Sequence, residues 1–441
     1  MSQTPWSFPY ASQRMPVMAR NAVATSQPLA AQAGLHALRN GGNAVDAALA
    51  AAITLTVVEP NNNGIGSDAF AIVWDGEKLH GLNASGRSPL AWTKERFAGR
   101  EKMPETGWDS VTVPGCVAAW AQLSSDFGKL DFSDLFEPAI RYARDGFAVT
   151  PITATAWARA ATKYADFDEW QRVFCPEGRA PRAGEVFRNR DQARSLEQIA
   201  ASEGEDFYRG KLAEKIAQTS REAGGALTME DLAAHHNDWV GTIEKNYRGW
   251  DVHEIPPNGQ GVAALMALGI LEHTHLPEME VDSADFFHVQ IEAIKLEFAD
   301  AYRNVCEPAF AQVAVEEMLD DDYLVERAKL IDMTRAQDFA HGLPRDKGTV
   351  YLTTADENGM MVSFIQSNFA GFGSGIVVPG TGISLQNRAA GFSLEKDHPN
   401  EVAGDKRPFH TIIPSFVMKE GAPLLSFGVM GGSFQAQGHT Q

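Results

Sequence analysis

A threonine preceded by a glycine stands at the head of a sequence pattern typical of a β-hairpin. Gly348 and Thr349 begin a run of β-branched and aromatic residues, Asp356 to Gly359 supplies a turn, and an apolar arm returns to Gln366. A threonine hydroxyl is a weak nucleophile until a base removes its proton, and a free α-amine with a pKa near ~8 can be that base within the same residue. Such an amine exists only if the preceding bond is broken. We therefore predict that the chain cuts itself between Gly348 and Thr349, where the small glycine leaves room for the hydroxyl to attack.

This chemistry also requires donors for the oxygen that becomes negatively charged. Leu424 to Met430 is predicted to form an apolar strand, and Gly431 and Gly432 follow it directly. Their backbone amides are the best candidates in the sequence for an oxyanion hole. By spacing alone the arrangement is weak evidence, because threonines at the heads of strands are common.

The usual catalytic and cofactor-binding signatures do not occur in the sequence. It contains no Gly-x-Ser-x-Gly motif, no HExxH motif and no GxxxxGK[ST] phosphate loop, and Gly64-Ile65-Gly66 lacks the third glycine of a dinucleotide site. The pairs His235-His236 and His273-Thr274-His275 have no partner carboxylate at ligand spacing. We therefore expect no metal ion and no cofactor.

Composition narrows the class of protein. The 441 residues are 44% apolar and 22% charged, as in ordinary globular proteins, and the formal net charge is −19. This charge argues against binding to nucleic acid or to anionic membranes, because both require basic surface. Three dispersed cysteines, the missing secretory signal and the lack of a run long enough to span a bilayer favour a cytoplasmic enzyme.

Several segments have the patterns of elements that would position the hairpin. Asn43 is predicted to cap a buried apolar helix from Ala44 to about Val57, with Asp46 as the capping-box acid. Strands are predicted at Ala69 to Trp74, Leu79 to Asn83 and Tyr247 to Ile255, helices at Val262 to Leu271 and His288 to Asn304, and largely helical scaffold over residues 115–240.

Polar residues on these elements have plain structural interpretations. Glu292, Lys295 and Glu297 are predicted to form surface ion pairs, which contribute little to stability. Thr334 to Asp346 is predicted to be an exposed linker that leads to the cut. Arg87 is either a solvated surface group or, fixed by the glycine and proline around it, a bidentate holder of a carboxylate.

The chain resembles the γ-glutamyltransferases over nearly its whole length. The motifs that occur in the family's order are Gly41 to Ala48, Pro256 to Gly261, Glu292 to Asp300, the Thr349 hairpin, Gly373 to Gly375, Lys406 to Pro408 and Gly431-Gly432. The resemblance implies an α+β fold, the four-layer αββα sandwich of the N-terminal-nucleophile hydrolases. It also implies a precursor that cleaves itself into a large portion, residues 1–348, and a small portion, residues 349–441. Together these portions would form one domain, and the assembly would be one such pair or a dimer of pairs.

The resemblance assigns roles to the residues of the predicted cutting chemistry. Thr349 falls on the family's nucleophile, and Ser367 falls where a second threonine hydroxyl supports it. Gly431 and Gly432 fall on the oxyanion-hole pair. Family members continue past this glycine pair, so we expect the present chain to lack the family's last layer.

The positions that hold the γ-glutamyl head group depart from the family's pattern. Arg87 lies two residues after the place of the arginine that binds the α-carboxylate, and Asn368 is adjacent to Phe369, which occupies the place of an asparagine. Arg388 replaces a glutamine, and Gly391 stands where an acid holds the α-ammonium group. His410 and Thr411 stand in place of two serines. The substrate-binding candidates are therefore Arg87, Asn368, Arg388, His410 and Thr411.

With these departures, the chain resembles the cytoplasmic γ-glutamyltransferase-like branch of the family. The predicted function is that of a self-processing amide hydrolase or acyltransferase that cleaves γ-glutamyl or similar small acyl amides through an acyl-enzyme on Thr349. No residue marks an acceptor site, so we expect hydrolysis rather than transfer. Two alternatives stay open: an acylase for a different dicarboxylic acyl amide, and a non-catalytic binding protein that is never cleaved.

Overall fold

The computed structural model describes residues 17–339 and 348–441. Its helices are α1 (Pro28–Arg39), α2 (Ala44–Val58), α3 (Cys116–Phe127), α4 (Glu137–Asp145), α5 (Pro151–Lys163), α6 (Asp168–Phe174), α7 (Arg190–Ala201), α8 (Glu205–Arg209), α9 (Lys211–Glu222), α10 (Met229–Ala233), α11 (Gly261–Glu272), α12 (Ala284–Asn304), α13 (Val315–Met318), α14 (Asp321–Ala328) and α15 (Phe434–Thr440). Its strands are β1 (Ala22–Thr25), β2 (Asp68–Trp74), β3 (Leu79–Asn83), β4 (Phe147–Ala148), β5 (Val186–Phe187), β6 (Asp238–Trp239), β7 (Ile243–Tyr247), β8 (Trp250–Glu254), β9 (Gly348–Ala355), β10 (Met361–Phe369), β11 (Val377–Val378), β12 (Ile383–Ser384), β13 (Ser415–Lys419) and β14 (Ala422–Phe427).

Two antiparallel sheets form the centre of the molecule. The first has six strands in the order β1-β9-β10-β2-β3-β6, and the second has four in the order β14-β13-β8-β7. The predicted hairpin is β9 and β10, and it occupies the middle of the first sheet. Its turn is closed as expected, because the Asp356 carboxylate accepts hydrogen bonds from the amides of Asn358 and Met360.

Three apolar layers hold these sheets between helices. On one side α2 packs on β9 and β10, whose inward residues Val350, Leu352, Val362 and Phe364 join its cluster. Between the sheets lie Phe70, Ile72 and Ile365 of the first and Phe416 of the second. On the far side α11 packs on β7 and β8 of the second sheet, and α12 packs on α11. The arrangement is the four-layer αββα sandwich that the resemblance implied, so the expectation that the chain lacks a layer was wrong.

The helix that supports the hairpin is placed by the predicted capping box. The Asn43 side chain accepts from the amides of Val45 and Asp46, and the Asp46 carboxylate accepts from the Asn43 amide. Every residue of α2 is buried, as its apolar composition predicted. The Ala44 amide also donates to the Asp356 carboxylate at 3.0 Å, so the helix start and the hairpin turn are joined.

Some sequence predictions were wrong in detail. The strand predicted from Tyr247 to Ile255 is the second half of a hairpin, β7 and β8, in which a turn at Arg248 and Gly249 reverses the chain. Glu292 and Glu297 are not surface groups, since their exposures are 1% and 0%. Burial raises the pKa of Glu297 well above its usual value, and neither of its carboxyl oxygens has a hydrogen-bond partner among the described residues. Of the predicted linker, residues 340–346 lie outside the described part.

Two further findings concern the cysteines and the length of the helices. Cys116, Cys175 and Cys306 are free and buried. Within residues 17–339 and 348–441, no helix combines the length and apolar character that crossing a bilayer requires.

Candidate active site

Thr349 and Ser367 are brought together at one end of the central hairpin. The Thr349 hydroxyl lies 3.1 Å from the Ser367 hydroxyl, and the two side chains are 2% and 0% exposed. The antiparallel register pairs Gln366 with Val350, which places Ser367 beside Thr349, and a bulge follows before Phe369 pairs with Gly348. The Ser367 hydroxyl also accepts the Phe369 amide at 2.8 Å, which fixes its orientation.

A buried charged cluster adjoins this pair. Asp68 is the direct cross-strand partner of Ser367, and its Oδ2 accepts from Arg388 Nε and from His410 Nε2, each at 3.1 Å. All three side chains are 0% exposed. The Arg388 guanidinium also lies 4.5 Å above the Phe369 ring. The structure therefore joins two of the predicted substrate-binding residues through an aspartate that the sequence analysis did not single out.

Burial sets the charges in this cluster. It lowers the pKa of Arg388 to about 10, although Asp68 acts in the opposite direction, so the guanidinium is charged at neutral pH. Burial, with the nearby Arg388 charge, lowers the pKa of His410 to about 3. His410 is therefore a neutral imidazole whose Nε2 proton is donated to Asp68.

Thr411 connects this cluster to the glycine pair. Its hydroxyl accepts from Arg388 Nη1 at 3.1 Å. Its backbone carbonyl accepts from Gln260 Nε2 at 2.7 Å, and the same amide nitrogen donates to the Gly432 carbonyl at 3.0 Å. Gln260 is fully buried and belongs to the loop between β8 and α11. It is a structural link between the substrate-binding candidates and the predicted oxyanion hole.

Gly431 and Gly432 adopt a backbone conformation that suits glycine. Their φ angles are +138° and +62°, in the region that residues with a Cβ rarely occupy. Their carbonyls accept from the amides of Phe434 and Gln435. No hydrogen bond among the described residues uses either glycine's own N–H.

The segment that precedes these glycines, β14 and the residues after it, contacts β9. Thr353 and Ser426 share a hydroxyl–hydroxyl hydrogen bond. Gly428, two residues after Ser426, packs so closely on the ring of Tyr351, two residues before Thr353, that a Cβ would not fit. The strand predicted to end at Met430 in fact ends at Phe427, so Gly428 to Met430 separate β14 from the glycine pair.

Asn368 faces a different part of the structure from Ser367. Its Oδ1 accepts from the Ser67 hydroxyl at 2.8 Å, and its backbone amide donates to the Asn62 carbonyl. Its Nδ2 is buried and has no hydrogen-bond partner in the described part of the chain. The side chain therefore stabilises the loop between α2 and β2 through its Oδ1, while its Nδ2 donor makes no hydrogen bond to the described residues.

Arg87 lies in a separate cavity. Its Nη1 is 2.5 Å from Glu307 and also donates to the Asp405 carbonyl at 3.0 Å. It lines a cavity of about 470 Å³ together with Arg407 and His235. Within the described residues, no hydrogen bond or ion pair joins it to the cluster around Asp68.

Sequence reasoning missed Asp68 and Gln260. Asp68 stands at the start of a strand whose other six residues are apolar, and Gln260 stands between two glycines. A polar residue in either setting signals a buried hydrogen-bonding role. The signal does not reveal the partners, because Arg388 and Thr411 lie more than a hundred residues away along the chain.

Comparison with known proteins decides the family. The sequence profile described as Gamma-glutamyltranspeptidase matches residues 30–441. The chain belongs to the gamma-glutamyltranspeptidase family.

Its relatives within this family differ in substrate. The chain is 37% identical over 415 residues to the glutathione hydrolase-like YwrD proenzyme of Bacillus subtilis, covering 93% of this chain and 79% of the relative. It is 35% identical over 418 residues to the oxamate amidohydrolase proenzyme of Klebsiella pneumoniae, and the match covers 93% of this chain and 78% of the relative. The crystal structure of cephalosporin acylase from Bacillus halodurans superposes with a TM-score of 0.91 at 49% identity, covering 99% of this chain and 82% of that one.

Membership of the gamma-glutamyltranspeptidase family establishes the broad activity. The chain is an enzyme, an amide hydrolase or acyltransferase with the N-terminal-nucleophile fold. It is made as a precursor that divides into a large and a small subunit, and it acts on small-molecule amides.

Proposed function

We propose that the chain is a self-processing N-terminal-threonine amide hydrolase that cleaves γ-glutamyl or similar small acyl amides through an acyl-enzyme on Thr349. The observation that carries this proposal is the 3.1 Å contact between the hydroxyls of Thr349 and Ser367 at the head of β9, with a glycine immediately before the threonine. In this proposal residues 1–348 become the large subunit and residues 349–441 belong to the small one.

The first step is the cut. The Thr349 hydroxyl attacks the carbonyl carbon of Gly348, the peptide C–N bond breaks, and the glycyl group is left as an ester on the threonine oxygen. Water then hydrolyses the ester, which releases the Gly348 carboxylate and restores the hydroxyl. The step also creates the free α-amine of Thr349, which had been part of the peptide bond.

Turnover then uses this amine as the base. It takes the proton of the Thr349 hydroxyl as the oxygen attacks the substrate's amide carbon, and it returns a proton to the departing amine. The N–H groups of Gly431 and Gly432 donate to the oxygen that becomes negative, since no other group uses them among the described residues. Water completes the cycle by hydrolysing the acyl ester.

The acyl side of the substrate lies against the buried cluster. Arg388, His410 and Thr411 are the groups that hold its distal end in this proposal, and their connection to Ser367 through Asp68 supports it. Arg87 and Asn368 have partners elsewhere, so their part in substrate binding stays a prediction from the sequence.

The test is N-terminal sequencing of the purified protein after separation on a denaturing gel. We expect two fragments, one of which begins at Thr349, and a single intact chain for Thr349→Ala. The matched control is Thr219→Ala, which removes a hydroxyl from the exposed surface of α9 and leaves cleavage unchanged. An intact wild-type chain after long incubation would overturn self-processing at Thr349.

An acylase for another dicarboxylic acyl amide is the second candidate. The buried Arg388 favours it, because a guanidinium is a good partner for a carboxylate at the distal end of an acyl group. Hydrolysis of γ-glutamyl-p-nitroanilide is to be compared with hydrolysis of glutaryl-p-nitroanilide by the cleaved protein. If neither is hydrolysed although Thr349 is free, both substrate classes are wrong. Sedimentation of the cleaved protein would measure whether one subunit pair or a dimer of pairs forms.

A further inference from the structure

Three neighbouring strands present a row of polar side chains on one face of the first sheet. Asp68 on β2 is the direct partner of Ser367 on β10, and the Ser367 hydroxyl contacts Thr349 on β9. Phe70 and Ile72, which alternate with the next residues of β2, face the second sheet, so Asp68 points into the same space between the sheets. Directly opposed residues have Cβ atoms ~5 Å apart, so Asp68 is about one such step from Ser367, whose hydroxyl contacts Thr349.

The polar atoms of this row are incompletely used. Asp68 Oδ2 accepts from both Arg388 and His410, whereas Asp68 Oδ1 has no hydrogen-bond partner among the described residues. Arg388 uses Nε for Asp68 and Nη1 for Thr411, while its Nη2 is likewise without a partner there. The Asp68–Arg388 ion pair thus has one buried acceptor, Oδ1, and one buried donor, Nη2, that lack a hydrogen-bond partner among the described residues. A buried polar atom without a partner is unfavourable, so a ligand that pairs with both is favoured.

The charge of the cluster determines which ligand that is. Arg388 contributes one positive charge, Asp68 contributes one negative charge, and His410 is neutral at neutral pH because burial lowers its pKa to about 3. The cluster therefore has no net charge. An acyl group that ends in a single carboxylate can accept from Arg388, but it also meets Oδ1 of Asp68. This repulsion between like charges is strong because both residues of the pair are fully buried.

We propose that Asp68 is a specificity-determining residue that makes the acyl site select distal groups carrying both a donor and an acceptor without net charge, such as an α-amino acid head or a primary amide, over a lone carboxylate. This inference rests on the proposed function, since it concerns the acyl group carried by Thr349. The donor of such a head group binds Asp68 Oδ1, and its acceptor binds Arg388 Nη2. Asp68 thereby distinguishes the two substrate classes that Arg388 alone leaves open.

The test is Asp68→Asn, which keeps the size of the side chain and removes its charge. We measure kcat/KM for γ-glutamyl-p-nitroanilide and glutaryl-p-nitroanilide in both proteins. The wild type is expected to prefer the γ-glutamyl compound, and in the variant the ratio of the two values shifts at least tenfold toward the glutaryl compound, because Arg388 is no longer neutralised. Asp321→Asn is the matched control, since it removes an exposed partner of Lys245.

Each outcome has a definite consequence. A wild type that prefers the glutaryl compound, or a variant whose ratio is unchanged while both proteins are active, overturns the inference and leaves the proposed function standing. If neither compound is hydrolysed by wild type with a free Thr349, the proposed function fails and the inference fails with it. Appearance of the Thr349 fragment reports that the variant has folded.

A measurement on the wild type alone decides the matter if Asp68→Asn does not fold. L-glutamine and glutaramate differ only in the α-ammonium group, so their inhibition constants are compared in the γ-glutamyl-p-nitroanilide assay. We expect L-glutamine to inhibit at a concentration at least tenfold lower. Equal inhibition, or tighter binding of glutaramate, would rule the inference out.

Discussion

The Thr349 hydroxyl lies 3.1 Å from the hydroxyl of Ser367, which is itself held by the Phe369 amide. Ser367 is thus a fixed partner of the proposed nucleophile. We expect Ser367→Ala to lower kcat by about 10- to 100-fold, since leaving the buried Thr349 hydroxyl without its partner costs about 1–3 kcal/mol. Steady-state kinetics on the cleaved protein measures this. Ser367→Thr should retain most of the activity, and Ser202→Ala, at a helix end on the surface, serves as the control. An alanine variant with wild-type kcat would contradict the assignment.

Gln260 positions Gly432 through a shared amide nitrogen. Gln260→Leu has a similar size but loses the hydrogen bonds to Thr411 and Gly432. We expect kcat to fall by about 10²-fold, the effect of losing an oxyanion donor, while KM changes much less. The separate values of kcat and KM test this. Gln218→Leu, on the exposed face of α9, is expected to behave as the wild type. An increase in KM with kcat unchanged would mean that Gln260 supports substrate binding instead.

Gln337, which precedes the predicted cut in the sequence, is held by α12. Glu292 accepts the Gln337 amide at 3.2 Å and pairs with Lys295, which also donates to the Gln337 carbonyl. We expect Glu292→Gln to slow self-cleavage several-fold, because the chain leading to Gly348 loses an anchor. The time course of fragment appearance on a denaturing gel measures the rate.

The same helical spacing supplies a matched control for that experiment. Glu326 and Lys329 form an exposed pair three residues apart, as Glu292 and Lys295 do. Glu326→Gln should cleave at the wild-type rate. Once cleavage is complete, the Glu292→Gln protein should hydrolyse substrate normally. A loss of hydrolysis would instead indicate a role in the active site.

Glu297 destabilises the native protein as the pH rises. Because burial raises its pKa, the folded state holds this proton more tightly than the unfolded state does. The associated stability is fully present below about pH 4.5, the usual value, and is lost as the pH rises toward the folded-state pKa. We expect Glu297→Leu to raise the melting temperature, and the gain to be larger at pH 8 than at pH 5. Thermal unfolding at both values checks this, and a gain that does not change with pH would contradict it.

The sequence predicted best what depends on local chemistry. Asn43 and Asp46 specified a helix start, and the alternation of β9 and β10 specified a hairpin whose bounds agree closely with the structure. Glu297 was assigned to the surface because charged residues usually lie there, and no local pattern reveals that its helix face is covered.

In the candidate site, too, some contacts follow from local sequence and others arise only from tertiary packing. Thr349 and Ser367 belong to one hairpin, so their proximity follows from its register. Asp68, Arg388 and His410 come together only when three distant segments pack, and the sequence contains no signal for that event. The resemblance supplied Arg388 and His410 by position, whereas Asp68 required the structure.

The strand order has a consequence for the protein once its precursor has divided. β9 and β10 are flanked by β1 on one side and by β2 on the other, and both flanking strands precede the predicted cut. The two polypeptides therefore share a continuous hydrogen-bonded sheet and cannot separate without unfolding. After complete denaturation, however, they must find each other again by diffusion. Renaturation of the divided protein is consequently second order in concentration, whereas the undivided precursor folds as a single molecule.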